Sequence, residues 1–292
     1  MTIAVTAASG RLGHAILREL GHLGRAGDVV AVARDPRRIQ VPGIETRPGD
    51  YGSVAGMAAA LAGSDTVVMI SAPVAGGSER ISLHRNVIEA ARQSGVRRML
   101  YTSVIGNGLE MATLFGPTQQ VNRQTEADLQ ASGLEWLIGR NGLYLELDLV
   151  QMQKARETGV YSNPAGSGRC PYITIAEIAY AFARLAVDAR PGGQIYNITS
   201  ENLNQAELLG LACEIFGLDV RYEVMSDDAC IAKFRALMPE RGEAVARMLT
   251  GCFQSIRAGA FDVPSHFREA AGRPPRTVRQ MLEGLAAAQK SA

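Results

Sequence analysis

The sequence predicts an α/β fold: a doubly wound parallel sheet followed by a smaller, mostly helical subdomain. Three observations carry this reading. Short apolar runs alternate with helical stretches through the first half of the 292-residue chain. The chain opens on a strand, a small-residue turn and a helix. After Arg140 the alternation stops and helical spacing takes over. Strand–helix alternation at this spacing implies a parallel sheet covered on both faces.

Each element follows in order. Ile3 to Ala7 is an apolar run and reads as the first strand. Ala7 to Gly10 are small and form the turn, and Leu12, Ala15, Ile16, Leu17 and Leu20 then recur at helical spacing. Asp28–Ala33 is the second strand and Glu45–Gly49 a short third. Ser53–Ala62 is a helix and Thr66–Ser71 the fourth strand. A helix at Gly77–Ser94, a strand at Arg97–Ser103, a helix at Thr118–Ser132 and a strand at Leu134–Gly139 complete the alternation. Gly24, Gly63 and Gly95 stand where helices end. Further on, Gly166–Gly168 is turn-rich, Ile175–Val187 is helical and Gln194–Thr199 is one more strand. Helices are expected at Gln205–Phe216, Asp227–Met238 and Glu240–Ile256, with a short strand at Arg221–Met225. The tail, Arg276–Gln289, is an amphipathic helix. The expected organisation is a Rossmann-like NAD(P)-binding domain over 1–145, to which 174–199 return, and a substrate-side subdomain over 146–292.

Composition narrows the function. A net charge of +1 and the absence of a basic tract with interleaved aromatics speak against nucleic acid. The 27 arginines beside three lysines are scattered. No apolar run approaches the roughly 18 residues of a membrane span. The chain starts directly in a strand, with no signal-peptide pattern, and its four cysteines are widely spaced. A cytoplasmic protein with reduced thiols is expected. Its four histidines are scattered too, so no metal site is expected.

The opening turn matches G-x-x-G-x-x-G with alanine first: Ala7, Gly10, Gly13. In such a turn the second glycine lets backbone approach phosphate, and the third lets helix and strand pack closely. Backbone N–H groups and the helix N-terminus then face a pyrophosphate. Ala7 suits the first position if its φ is negative. Thr6, Ala8, Ser9, Gly10, Arg11 and Leu12 are the expected contacts around this turn. The second strand ends at Ala33-Arg34-Asp35. Arg34 at its tip suits a 2′-phosphate, while Asp35 keeps a ribose hydroxyl open as the alternative. Asp50 and Tyr51, after the third strand, are expected near adenine; Asp50 beside a helix N-cap is the plainer reading. Ser71, Ala72 and Pro73 close the fourth strand beside the nicotinamide ribose.

Together these segments resemble the NmrA-like, atypical branch of the short-chain dehydrogenase superfamily. Within it the likeness is to the NADPH-dependent quinone oxidoreductase 2 and triphenylmethane reductase group. The matching stretches are Val5–His14, Ala33–Pro36, Gly49–Tyr51, Ile70–Ser71, His84–Ile88, Tyr101–Ser103, Thr125–Glu126, Ser132–Leu134, Arg140–Tyr144 and Ala165–Gly168. The likeness weakens after about Asn202. It implies NADP(H) binding, with nicotinamide near Ser71, Ser103 and Asn141, and Thr102 in the cofactor shell. It also allows a homodimer in which helices 77–94 and 118–132 pair.

The superfamily's Tyr-x-x-x-Lys pair is missing: Lys154, Lys233 and Lys290 do not stand four after a tyrosine. Thr118 and Asn122 align with those positions, and Asn122 could bond a ribose or substrate oxygen. Reducing a simple ketone creates an alkoxide that needs a positioned acid. A quinone gives a stable phenolate, and a cationic dye takes hydride with no proton. The expected substrate is therefore a small aromatic or conjugated acceptor, positioned face to face with the cofactor. Pro73, Val74, Ile105, Phe115, Leu143 and Tyr144 are candidate pocket walls. Tyr144, Asn141 and Ser103 are the candidate catalytic residues. Tyr144 packed with its hydroxyl on backbone, and Asn141 as a turn residue, are their plainer readings. His84 reads as a polar anchor between helix and sheet. The competing functions are an NADP(H)-sensing regulatory protein and a reductase or isomerase dedicated to one secondary metabolite.

Overall fold

The structure, a computed structural model, describes residues 1–73 and 77–290. Its first half runs β1 (Ile3–Val5), α1 (Arg11–His22), β2 (Val29–Ala33), β3 (Glu45–Pro48), α2 (Val54–Leu61) and β4 (Thr66–Met69). Then follow α3 (Gly77–Gln93), β5 (Arg98–Val104), α4 (Gly116–Gln130) and β6 (Glu135–Asn141). The second half holds β7 (Leu143–Tyr144), α5 (Leu145–Lys154), β8 (Val160–Asn163), β9 (Arg169–Ile173), α6 (Ile175–Val187) and β10 (Gln194–Ile198). It ends with β11 (Asn202–Asn204), α7 (Gln205–Phe216), β12 (Arg221–Val224), α8 (Asp227–Leu237), α9 (Gly242–Arg257), α10 (Phe267–Ala271) and α11 (Val278–Lys290).

Seven strands form one sheet in the order β3-β2-β1-β4-β5-β6-β10. Every neighbouring pair in it is parallel. The chain winds outward from β1 to β3, then crosses to β4 on the other side of β1. That reversal opens a crevice at the carboxyl ends of β1 and β4, where open α/β sheets take their ligands. This is the Rossmann-like arrangement the sequence predicts.

Helices cover both faces, so side chains along each strand alternate between two cores. Ile3 and Val5 pack with Leu12, Ile16 and Phe182 on one side. Ala4, Val30 and Val67 pack with Met57, Leu61 and Val87 on the other. The middles of the central strands are therefore apolar on both faces, and polar residues such as Arg98, Thr102 and Ser103 fall toward the strand ends. The edge strand β3 is different: it reads Glu-Thr-Arg-Pro and is largely exposed. Arg47 there donates to the carbonyls of Ala60 and Ala62 at 3.1 and 2.7 Å. Charge and proline at an open edge discourage further strand pairing.

Several boundaries differ from expectation. The fourth helix begins two residues early, at Gly116, because Pro117 fits a first helical turn that needs no N–H. The Glu240–Ile256 helix starts at Gly242, after a short 3-10 turn at Pro239–Arg241. β6 runs on to Asn141, and Gly142 alone separates it from β7. The sequence reading did not contain β7, α5, β8, β9, β11 or α10. Here β9 lies between β7 and β11, and β8 pairs with β12. Among the described residues, no helix is long and apolar enough to cross a membrane.

Candidate active site

The turn after β1 is built from backbone. Gly10 N–H donates to Ala7 O at 3.0 Å, and Ala8 N–H donates to Val32 O at 3.0 Å. Closing this turn puts Ala7 at φ 48°, in the left-handed region. That corrects the expectation of a negative φ: alanine holds the glycine conformation here, at a strain of about 1–2 kcal/mol. Gly13 is sterically required. A Cβ there would lie 2.7 Å from both Ala7 O and Ala8 Cα. Gly10 caps α1 without a side-chain bond, and the first turn contains no acidic residue. The positive end of the helix is thus left open, as anion binding requires.

Around this turn, Arg11 is exposed, Ser9 half-buried, and Ala8 and Leu12 buried. Thr6 is spent internally. Its hydroxyl meets Tyr51 Oη at 2.5 Å and accepts from Ile70 N–H at 3.2 Å. Tyr51 in turn donates to Ile70 O at 2.7 Å, and burial raises its phenol pKa. The Tyr51 hydroxyl therefore ties β1 to β4, leaving only ring surface for a ligand. Asp50 is exposed and its Oδ1 accepts Gly52 N–H at 2.9 Å, just before the Ser53 cap of α2.

At the tip of β2, Arg34 is exposed. Asp35 is occupied: it accepts Arg37 Nε at 2.8 Å and the Arg37 N–H at 3.2 Å. Hydrogen bonding to Arg37 holds the Asp35 carboxyl below its usual pKa. Among the described residues the Arg34 guanidinium, rather than the Asp35 carboxylate, is the uncommitted group.

At the ends of β4 and β5 lies a dense polar cluster. Ser71 N–H donates to Thr102 Oγ1 at 2.9 Å, and Ser71 Oγ lies 3.2 Å from Tyr101 Oη. Ala72 N–H donates to His84 Nε2 at 2.9 Å, and His84 Nδ1 lies 2.8 Å from Thr125 Oγ1. Nε2 must then be the unprotonated nitrogen, with Nδ1 the donor. Burial, aided by the nearby Arg80 charge, drops the His84 pKa to about 3. His84 is a neutral anchor. Asn122 is fully buried: Oδ1 accepts from Arg80 at 3.0 Å, and Nδ2 donates to Gln119 Oε1 at 3.1 Å. Ser103 donates to Glu126 Oε1 at 2.5 Å, and Glu126 is held by Arg123 and Arg140. Pro73 is exposed; Val74 lies outside the described residues.

Asn141 closes β6. It is 3 % exposed, and its Oδ1 has no hydrogen-bond partner among the described residues. Its Nδ2 donates to Tyr144 Oη at 3.4 Å. Burial raises the Tyr144 phenol, while Asn141 and the Arg11 charge pull it down. Tyr144 thus stays protonated at neutral pH, within electrostatic reach of the opening turn. Leu143 is half-buried beside it. Ile105 and Phe115 do not line this opening. Both are core residues, and Phe115 stands edge-on to Phe261 at 5.8 Å.

The sequence reading missed Arg80 as well as the Arg123–Glu126–Arg140 cluster. Arg80 and His84 share one stripe of α3 with Val87 and Ala91, which are fully buried. Two polar residues at i and i+4 on an apolar stripe were the available signal.

These features are those of a dinucleotide-binding α/β protein, with the glycine turn opening at the β1/β4 crevice. The comparisons agree. A family described as NAD(P)H-binding matches residues 7–182, and the chain belongs to it. It is 31% identical to quinone oxidoreductase 2 of Escherichia coli (strain K12), over 97% of this chain and 98% of the relative. It is 26% identical to the NAD(P)H azoreductase of Xenophilus azovorans, over 89% of each. The structure of the E. coli NADPH-dependent quinone oxidoreductase complexed with NADPH superposes with a TM-score of 0.87. That pair is 29% identical and covers 97% of this chain and 99% of the other.

Proposed function

We propose that this chain is an NADP(H)-dependent oxidoreductase that reduces quinones or related conjugated acceptors. The observation that carries this reading is the commitment of the polar groups at the β4–β6 ends. The Ser103 hydroxyl is held by Glu126, and both ends of the Asn122 amide are bonded. Among the described residues, Asn141 Oδ1 has no partner and the Tyr144 hydroxyl is bonded as an acceptor from Asn141 Nδ2. Such a site orients a planar acceptor well and supplies a weak acid at most. It suits acceptors whose reduced form is stable as an anion or needs no proton.

The residues fit the dinucleotide. The open N-terminus of α1 would hold the pyrophosphate, and Arg34 the 2′-phosphate. Asn141 Oδ1, buried and unpaired, would accept from an amide such as the nicotinamide carboxamide. The cofactor supplies the hydride. Tyr144 donates a hydrogen bond toward the acceptor's oxygen, and its raised pKa keeps that proton in place. The subdomain beyond residue 145, apart from the 174–199 segment that returns to the sheet, forms the acceptor's side of the cleft, and a homodimer through α3 and α4 belongs to the same reading.

The test is oxidation of NADPH, followed by absorbance, with a benzoquinone, a naphthoquinone, a cationic triarylmethane dye, an azo dye and a simple ketone. Turnover of the conjugated acceptors without the ketone supports the proposal. Tight NADPH binding with no turnover favours the cofactor sensor instead.

A further inference from the structure

Arg80 is a buried charge that the proposed chemistry does not use. It is 5 % exposed. Its Nε donates to Ala72 O at 3.0 Å, and one Nη donates to Asn122 Oδ1 at 3.0 Å and to Ser71 Oγ. All three acceptors are neutral. The buried carboxylates in this region are answered by other groups. Glu126 pairs with Arg123 at 2.7 Å and Arg140 at 2.6 Å. Glu110 lies 3.7 Å from Arg123 and accepts from Gln119 and the Gly108 N–H. Among the described residues, no carboxylate comes within ion-pair distance of Arg80. Burial lowers its pKa, yet a guanidinium keeps its proton at neutral pH. Burying a charge against neutral partners is costly, and a neutral glutamine could make similar bonds. The bonds alone therefore do not account for the cation. Its acceptors sit on Ser71 and Ala72, at the carboxyl end of β4.

We propose that Arg80 is a fixed buried charge that makes the site prefer the reduced cofactor over the oxidised one. The inference rests on the reading above, which puts nicotinamide at the ends of β4–β6. The oxidised nicotinamide ring carries a positive charge and the reduced ring is neutral. A cation behind Ser71 and Ala72, shielded from salt by its burial, repels the first and leaves the second untouched. Spent cofactor is then the weaker ligand and leaves, which favours the next NADPH. Arg80 acts through the field and through Ser71, without touching the reacting atoms, and so is a positioning residue.

Dissociation constants of NADPH, NADP+ and 2′-phospho-ADP-ribose, which has no ring, test this by calorimetry. The wild type is expected to bind NADPH about tenfold more tightly than NADP+, a difference one charge near the ring can produce. NADP+ is expected to bind no more tightly than the ringless fragment. Arg80→Gln should bring the NADPH/NADP+ ratio to within about twofold of unity, and Arg80→Lys should keep it. Equal shifts of both constants in Arg80→Gln would reduce Arg80 to a structural brace and overturn the proposal. If Arg80→Gln does not fold, the wild-type comparison still decides, since NADP+ binding as tightly as NADPH overturns it. A wild type that binds none of the three ligands overturns the cofactor reading itself.

Discussion

Ser103 gives its hydroxyl proton to Glu126 Oε1 at 2.5 Å, an oxygen already bonded by Arg123 and Arg140. A serine so placed has no free proton for a substrate. Ser103→Ala is expected to change kcat with a quinone by less than about threefold. The same change removes a donor from a buried carboxylate and should cost about 1–3 kcal/mol of stability in urea unfolding. A hundredfold fall in kcat at unchanged stability would return Ser103 to the catalytic set.

Ala7 holds a left-handed φ of 48°. Ala7→Gly is expected to relieve that strain and raise stability by about 1 kcal/mol, seen as a higher thermal midpoint. NADPH affinity should stay within about threefold, because the turn keeps its shape. A fall in the midpoint would show that Ala7 is not strained.

His84 titrates at about 3 when folded, against an ordinary 6.5. Below about pH 6.5 the unfolded chain gains a proton that the native chain refuses. Stability from this group is full above that pH and declines as pH falls, by about 1.4 kcal/mol per unit. Urea midpoints between about pH 5 and about pH 8 should show the decline in the wild type, and a shallower one in His84→Gln. Identical profiles would mean that His84 is protonated in the fold.

Arg34 stands exposed at the β2 tip, while Asp35 is bound to Arg37. Arg34→Ala is expected to weaken NADPH by about ten- to a hundredfold and leave NADH nearly unchanged. Equal losses for the two cofactors would remove the 2′-phosphate contact.

How legible the molecule was depends on how local each signal is. Ile175–Val187 and Gln205–Phe216 match expectation because Thr174 and Asn204 cap them from within the sequence, the latter in a reciprocal box with Glu207. The inner strands β1, β2 and β4 were legible because burial on both faces makes them almost wholly apolar. The short strand expected at Arg221–Met225 is present as β12, but its partner β8, four residues long and some 60 positions away, carries no periodic signal of its own. The glycine turn and the exposed arginine at the β2 tip stand where their spacing puts them. Arg80 was not legible, because an arginine within a helix ordinarily reads as solvated. Tyr51 was expected near adenine, and the bonds of its hydroxyl to Thr6 and Ile70 were not legible because they depend on strands far apart in the chain.

Gly142 joins β6 to β7 with no room to spare. A Cβ there would come within 2.8 Å of Pro171 O and 3.2 Å of Ile173 Cγ2, while its own N–H is bonded to Ile198 O. The strand bearing Asn141 passes through this clamp directly into the strand bearing Tyr144. The clamp leaves no hinge where the seven-stranded sheet hands over to the second half of the chain. The spacing between Asn141 and Tyr144 is therefore fixed by main chain, so substitutions around them change which side chains face outward without changing the frame that carries them.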